Sequence, residues 1–327
     1  MNRRRALAMA LACSGLGAGC GSATRPGSGE REPPWRALAD GLWVWDGANA
    51  EIDAHNAGHV APTVALVRGP KALLIDPGPS ARHAQRVRAS LRARFGAEVV
   101  AIVNTHAHAE NVLGNAAFAD GIGAGRVRVW ASAATRQAMQ QRCPACLKSL
   151  TERVGAEAMA GTAIVLPTDT LAEGDALTLG GVRLRALRVE QGHTEGDLVL
   201  WWPEAGVLIA GGLVCDGRLP ELAQGSLDGW LAALQRLAAL QPRVVVGSRV
   251  TDAQGIVQTQ RYLTTLRREV LAAMDAGRLA GERGLVPMDD WRHWAGHAER
   301  QGFNVQRAWR ELEAVWMQAP SGAATSR

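Results

Sequence analysis

From Trp35 onward, short apolar runs bounded by turn residues alternate with longer stretches whose apolar positions recur every three or four residues. Leu42 to Trp45, Thr63 to Val67, Ala72 to Ile75 and Val99 to Val103 read as strands. Asp76-Pro77-Gly78-Pro79-Ser80 is a turn, and Ala81 to Phe95 places Val87, Leu91 and Phe95 on one helical face. This is a strand–helix–strand unit, whose strands should be parallel with a right-handed crossover. Val127 to Trp130 predicts a strand and Ala133 to Gln141 a helix. Leu177 to Leu187 predicts a hairpin around Gly180-Gly181, and Leu198 to Trp202 pairs with Val207 to Ala210 across Pro203-Glu204-Ala205-Gly206. A helix over Leu227 to Leu240, a strand over Val244 to Val246 and a long helix over Val257 to Met274 follow. Asp289 to Met317 reads as two helices studded with Trp. The alternation predicts an α/β core. No low-complexity break divides residues 35–320, so they are expected to form one domain with a helical tail, followed by a disordered end at 321–327.

Composition changes this picture little. The chain has 327 residues, 47% of them hydrophobic and 20% charged, enough for a substantial core. The net charge of +5 is carried almost wholly by Arg, with only Lys71 and Lys148 as lysines. These cations are scattered, which describes a solvated surface and argues against a nucleic-acid partner.

The N-terminus departs from the rest. Arg3, Arg4 and Arg5 precede the apolar run Ala6 to Leu16, and small residues lead to Cys20. Residues 1–20 thus have the layout of an export signal, too short to span a bilayer. The Arg pair also permits a twin-arginine reading. Gly17-Ala18-Gly19-Cys20 resembles a lipobox with Leu16 one place early, so lipidation at Cys20 and cleavage without lipid are both open. The expected location is the periplasm, free or attached to the membrane through a lipidated N-terminus. Residues 21–34 read as a Gly, Pro and Ser-rich linker.

The candidate chemistry sits in loops. Thr105-His106-Ala107-His108-Ala109-Glu110-Asn111 follows directly on a strand, where open α/β sheets bind ligands. Two imidazoles one residue apart can converge from an irregular loop, and zinc favours imidazole in a tetrahedral set. His193, in the loop Gly192 to Asp197, is the natural third ligand.

These segments resemble the metallo-β-lactamase superfamily. Ala72 to Gly78 looks like its early strand and Asp-x-Gly turn, Thr105 to Asn111 like its His-x-His-x-Asp-His loop, and Gly192 to Asp197 like its third-histidine loop. Val207 to Leu213 and Val244 to Ser248 look like the strands that normally end in Gly-Asp and Gly-His. Gly225 to Leu240, Tyr262-Leu263 and Asn304 to Glu313 are similar to the branch of sulfur-oxidation and quinoprotein-relay metallohydrolases. The resemblance implies a four-layer αββα sandwich of two mixed sheets, with metal at one edge. It makes His106, His108 and His193 the ligands of one zinc. The second site is altered: Glu110 replaces the Asp, Asn111 the His, Gly212 the bridging carboxylate or Cys, and Ser248 the last His. One zinc with an open position is therefore expected, acting on a small-molecule ester, thioester or amide. Glu110 is then either a general base or a fourth ligand that closes the site. A fold that kept its shape and lost its chemistry is the alternative. Asn111 is expected to cap the following helix, with oxyanion donation as the other role. Asp76 is expected to brace the histidine loop, and Asp197 the start of its strand. Cys215 is expected to be a small core residue, with metal ligation as the alternative.

Cys143-Pro144-Ala145-Cys146 lacks a second CxxC, which excludes a zinc ribbon, and reads as a disulfide pinning a loop near the groove. His293 and His297 are spaced i, i+4 on an expected helix, as a solvated face or a clamp. Trp291, Trp294, Trp309 and Trp316 are expected to pack the tail onto the sandwich, and one of Trp201 and Trp202 to face the core. His55 and His59 fall in an early loop expected to border the groove.

Overall fold

The computed structural model describes residues 34–282 and 284–318. Cys20, the expected signal, nearly all of the linker and residues 321–327 lie outside the described residues. Among those described, no helix is long and apolar enough to cross a membrane.

Two sheets form the centre. The first runs β1 (Arg36–Ala39), β2 (Leu42–Trp45), β3 (Thr63–Arg68), β4 (Lys71–Ile75), β5 (Glu98–Val103), β6 (Arg128–Ala131) and β7 (Asp169–Thr170), in that spatial order. It is antiparallel up to β4 and parallel from β4 to β7. The expected β4–helix–β5 unit is present, with α1 (Ala81–Phe95) as its crossover. Ser80 caps α1 by accepting from the His83 amide, and Gly96 closes it at φ 62°. After β5 come α2 (Ala109–Val112), a 3-10 turn and α3 (Ala119–Gly123), and α4 (Ala133–Val154) follows β6.

The second sheet has the order β13 (Val250–Thr251), β12 (Val244–Val246), β11 (Val207–Ile209), β10 (Glu195–Trp202), β9 (Val182–Gln191), β8 (Ala176–Leu179). β11 and β12 are parallel, joined through α5 (Leu227–Ala238). α6 (Ala253–Asp275) and α7 (His297–Gln318) complete the chain.

Strand alternation builds the layers. Leu73 and Ile75 of β4 face Leu198, Leu200 and Trp202 of β10 in the core between the sheets. Ala72 and Leu74 point the other way, onto Val87 and Leu91 of α1. Val199 and Trp201 point onto Trp230, Leu234, Tyr262 and Leu266 of α5 and α6 and Trp309 of α7. The result is the expected four-layer αββα sandwich. Trp201 and Trp202 are both buried, because helices cover the outer face of the second sheet as well.

Three expectations are corrected. α4 does not stop before the CxxC but runs through Pro144, with Cys143 and Cys146 as free thiols inside it. Proline in a helix interior costs about 3 kcal/mol. Here Pro144 is exposed, while Ala138, Met139, Cys143, Leu150 and Val154 bury the opposite side, so packing carries the helix through. The tail contains one helix, α7, preceded by a 3-10 turn at Asp289–Trp291. Gly296 at φ 80° breaks the path between them, so His293 and His297 are not a helical pair. Trp291, Trp294 and Trp309 pack as expected, but Trp316 is 39% exposed and its indole donates to Asp275.

Candidate metal centre

The three histidines meet where both sheets end. His106 and His108 leave the end of β5, and His193 lies in the turn between β9 and β10. Their ring centroids are 4.8, 4.9 and 4.5 Å apart, and one ligand nitrogen from each lies within 4.8 Å of the others.

The nitrogen facing outward on each ring is held by the protein. Thr105 Oγ1 donates to Asp76 Oδ2 at 2.6 Å, so its contact with His106 Nδ1 at 2.8 Å makes that nitrogen the donor. His193 Nδ1 faces the Glu221 carbonyl at 3.0 Å, which only accepts. His108 Nε2 faces Gln224 Oε1 at 2.8 Å. The outer nitrogens of His106 and His193 therefore carry the proton, and their inner nitrogens present lone pairs. His193 Nε2 and His108 Nδ1 are 3.2 Å apart, so the two rings face each other at the centre of the cluster. Burial, and then the neighbouring imidazoles, hold His106 and His193 well below the ordinary histidine range, which favours the neutral rings. Three convergent imidazoles could hold a metal cation.

Asp76 braces this loop as expected. Its Oδ1 accepts from the Thr105 amide at 2.8 Å, and its Oδ2 from Thr105 Oγ1 and Asn111 Nδ2 (3.1 Å). Burial pushes its carboxyl up to about 7, against the pull of those donors. Asp76 adopts φ 51°, turning the chain sharply out of β4. Asn111 is thereby corrected: it lies inside α2, and its amide serves Asp76 instead of capping the helix, whose N-cap is His108. Asp197 braces the third-histidine loop, accepting from the Thr194 amide and hydroxyl, with burial raising its carboxyl to about 7.

Glu110 Oε1 is 3.8 Å from His108 Nδ1, and its carboxylate makes no hydrogen bond among the described residues. Gly212 lies against His193. Ser248 Oγ accepts from the Asp216 amide at 3.3 Å. Cys215 is buried with its thiol pushed up to about 12 by desolvation and directed at the Gly212 carbonyl, as a core residue would be. His59 does not reach the histidine cluster, and packs instead on Trp45 and His83.

A charged cluster beside the site had no counterpart in the sequence reading. Arg300 of α7 binds both oxygens of Glu51, at 2.9 and 3.0 Å, and also pairs with Glu221, while buried Arg218 reaches the Val60 carbonyl. Burial disfavours the Glu221 carboxylate, but His108, Arg300 and Arg218 outweigh it and hold the group below its ordinary range. Arg300 and Glu51 are 249 positions apart, and no local pattern marks either. Gln224, which orients His108, was also unmarked.

The likenesses to known proteins agree with this geometry. Residues 58–249 match the family model of the metallo-beta-lactamase superfamily. The chain is 24% identical over 254 residues to a linear primary-alkylsulfatase from a Pseudomonas species, covering 68% of this chain and 48% of that protein. It thus spans about half the length of the curated relative it matches. Among solved structures, the metallo-beta-lactamase from Pontibacter korlensis superposes with a TM-score of 0.56 at 22% identity, covering 70% of this chain and 98% of that one. The metallo-beta-lactamase FIM-1 from Pseudomonas aeruginosa, solved in a mono-zinc form, superposes with a TM-score of 0.55 at 17% identity, covering 71% and 94%. With its sandwich, its three-histidine group at the edge of both sheets and the family match over most of both, this chain belongs to the metallo-beta-lactamase superfamily.

Proposed function

We propose that the chain is an exported hydrolase that holds one zinc ion on His106, His108 and His193 and cleaves an ester, thioester or amide. The convergence of one ring nitrogen from each of three histidines, within 4.8 Å of one another, carries this reading. Zinc bound there would supply Lewis acidity toward water and a substrate carbonyl. Glu110 then acts as general base: its carboxylate is unencumbered and beside the inner nitrogen of His108. It takes the proton from attacking water and returns it to the leaving group. Asp76 and Thr105 hold His106 in the tautomer the site needs. Export rests on the Arg3 to Leu16 pattern, with membrane attachment through Cys20 if that residue is lipidated.

Metal analysis of the purified protein tests the reading. About one zinc per chain is expected, lost in His106→Ala. Glu110→Gln should keep the zinc and lower ester turnover by about a hundredfold or more. Metal-free native protein overturns the hydrolase and leaves a binding protein on the same fold. Zinc retained with turnover unchanged in Glu110→Gln removes Glu110 as the base. Cys20→Ser released from the membrane fraction supports lipidation.

A further inference from the structure

The histidine cluster forms one wall of a cavity of about 60 Å³, room for roughly four or five water-sized groups and so for a short chain only. Glu110, Glu221, Arg218 and Arg300 border it, but much of the remaining wall is apolar. Val60, Val64, Ile75, Ile209, Leu219 and Val246 line it, drawn from both sheets and the loops beside them. Val64, Ile75, Ile209 and Val246 also belong to the core between the sheets, so the cavity enters the sandwich instead of resting on its edge.

Several polar groups on that side are already engaged. Ser248 accepts from the Asp216 amide, the Cys215 thiol is directed at the Gly212 carbonyl, and Asn111 is tied to Asp76. Arg218 and Arg300 also border the cavity, but each is paired with or beside Glu51, and Arg300 holds Glu221 too. A polar ligand group placed there would have to compete with these contacts for its partners. An apolar group would gain by transfer from water.

We propose that this inner chamber binds the hydrocarbon chain of the substrate, so that the scissile bond is presented to Glu110 and the three histidines. The substrate class is then an ester or thioester with a compact apolar chain on one side of that bond. This rests on the hydrolase reading above for the reaction, but not for the binding.

Two measurements test it on the zinc-loaded full chain. Two series of p-nitrophenyl and ethyl esters, from acetate to octanoate, report turnover, with alkyl sulfates of the same lengths as a separate arm. Calorimetric titration of butyrate, hexanoate and octanoate, repeated on zinc-free protein, reports binding without catalysis. In both, kcat/KM or affinity should rise about three- to fourfold per methylene until the chamber is full. Ile209→Ala should move that limit to a longer chain, and Val246→Phe to a shorter one, with zinc content unchanged. If Val246→Phe fails to fold, Ile209→Ala and the wild-type series still decide. Values independent of chain length, or a limit that Ile209→Ala does not move, overturn the proposal. If no ester is cleaved but the binding series keeps its slope, the hydrolase reading fails and the chamber stands.

Discussion

Gly212 lies flush against the ring of His193: a β-carbon built on it would fall 2.1 Å from Cδ2 and 2.5 Å from Nε2 of that imidazole. Real side chains do not approach so closely, so the ring holds its place only because residue 212 has none. In the family pattern this position supplies a bridging carboxylate. Here it cannot be restored by one substitution without displacing the His193 ring. Gly212→Ala should therefore weaken zinc binding by at least about tenfold. Gly212→Asp with Ser248→His should leave the protein with less zinc, not two equivalents. Competition titration against a chromophoric chelator reads both outcomes. Unaltered affinity in Gly212→Ala would show that His193 can shift freely.

Asp76→Asn isolates the charge of the brace from its backbone shape, since Asn tolerates the φ of 51°. The amide offers one oxygen where the carboxylate accepts three hydrogen bonds, so the link to Thr105 and His106 is partly lost. Zinc affinity should fall by about ten- to a hundredfold. Stability should fall by about 1–3 kcal/mol, read by denaturant unfolding. A variant that keeps wild-type zinc affinity would place the tautomer control elsewhere.

Arg300→Ala removes the guanidinium that neutralises Glu51 and Glu221. Both carboxylates stay partly hydrated, so the expected loss is about 2–3 kcal/mol, below the cost of stranding fully buried charges. Because the Glu221 carbonyl orients His193, zinc affinity should drop too. Arg300→Lys should rescue little, since an ammonium cannot span both Glu51 oxygens and Glu221 at once. Full rescue by Lys would reduce the cluster to simple charge balance.

The acid limb of stability should depend on His59. Its Nε2 is shut off from solvent without a hydrogen-bond partner. Burial first, and then Arg86, lower its value to about 4 from the ordinary 6.5. The unfolded chain therefore binds this proton more readily than the folded one between those values. The stabilisation is complete above about pH 6.5, is lost as pH falls toward 4, and levels off below. In zinc-free protein, so that metal release does not enter, His59→Gln should make the loss between pH 7.5 and 5 smaller by about 2 kcal/mol. Superimposable pH profiles of the two proteins would exclude the residue.

What could be read from the sequence shares one property: it is local. The run from β4 through α1 to β5 declares itself by apolar spacing, a Pro-Gly turn and the Ser80 cap. His106 and His108 leave a strand end two residues apart, and His193 sits in its own glycine-flanked turn. The brace by Asp76 could be read too, because the turn that carries it follows β4, the strand beside β5. The fate of Asn111 was missed because its partner is 35 positions away. The course of α4 was missed because proline's local preference is overridden by a buried face that only the folded chain supplies.

Residue type and short spacing in the sequence by themselves determined most strands and helices and singled out the three histidines, and the resemblance to the family supplied the sandwich and the altered second-site positions. Only the tertiary structure decided how the site works. It placed Gln224, Glu221 and Thr105 on the outer nitrogens of the three rings, and left Glu110 without a hydrogen bond among the described residues. It locked Arg300 to Glu51, set Gly212 against His193, and let a largely apolar cavity reach in from the three histidines between the sheets. These are contacts between segments tens to hundreds of residues apart, and their geometry exists only once the two sheets have closed on each other.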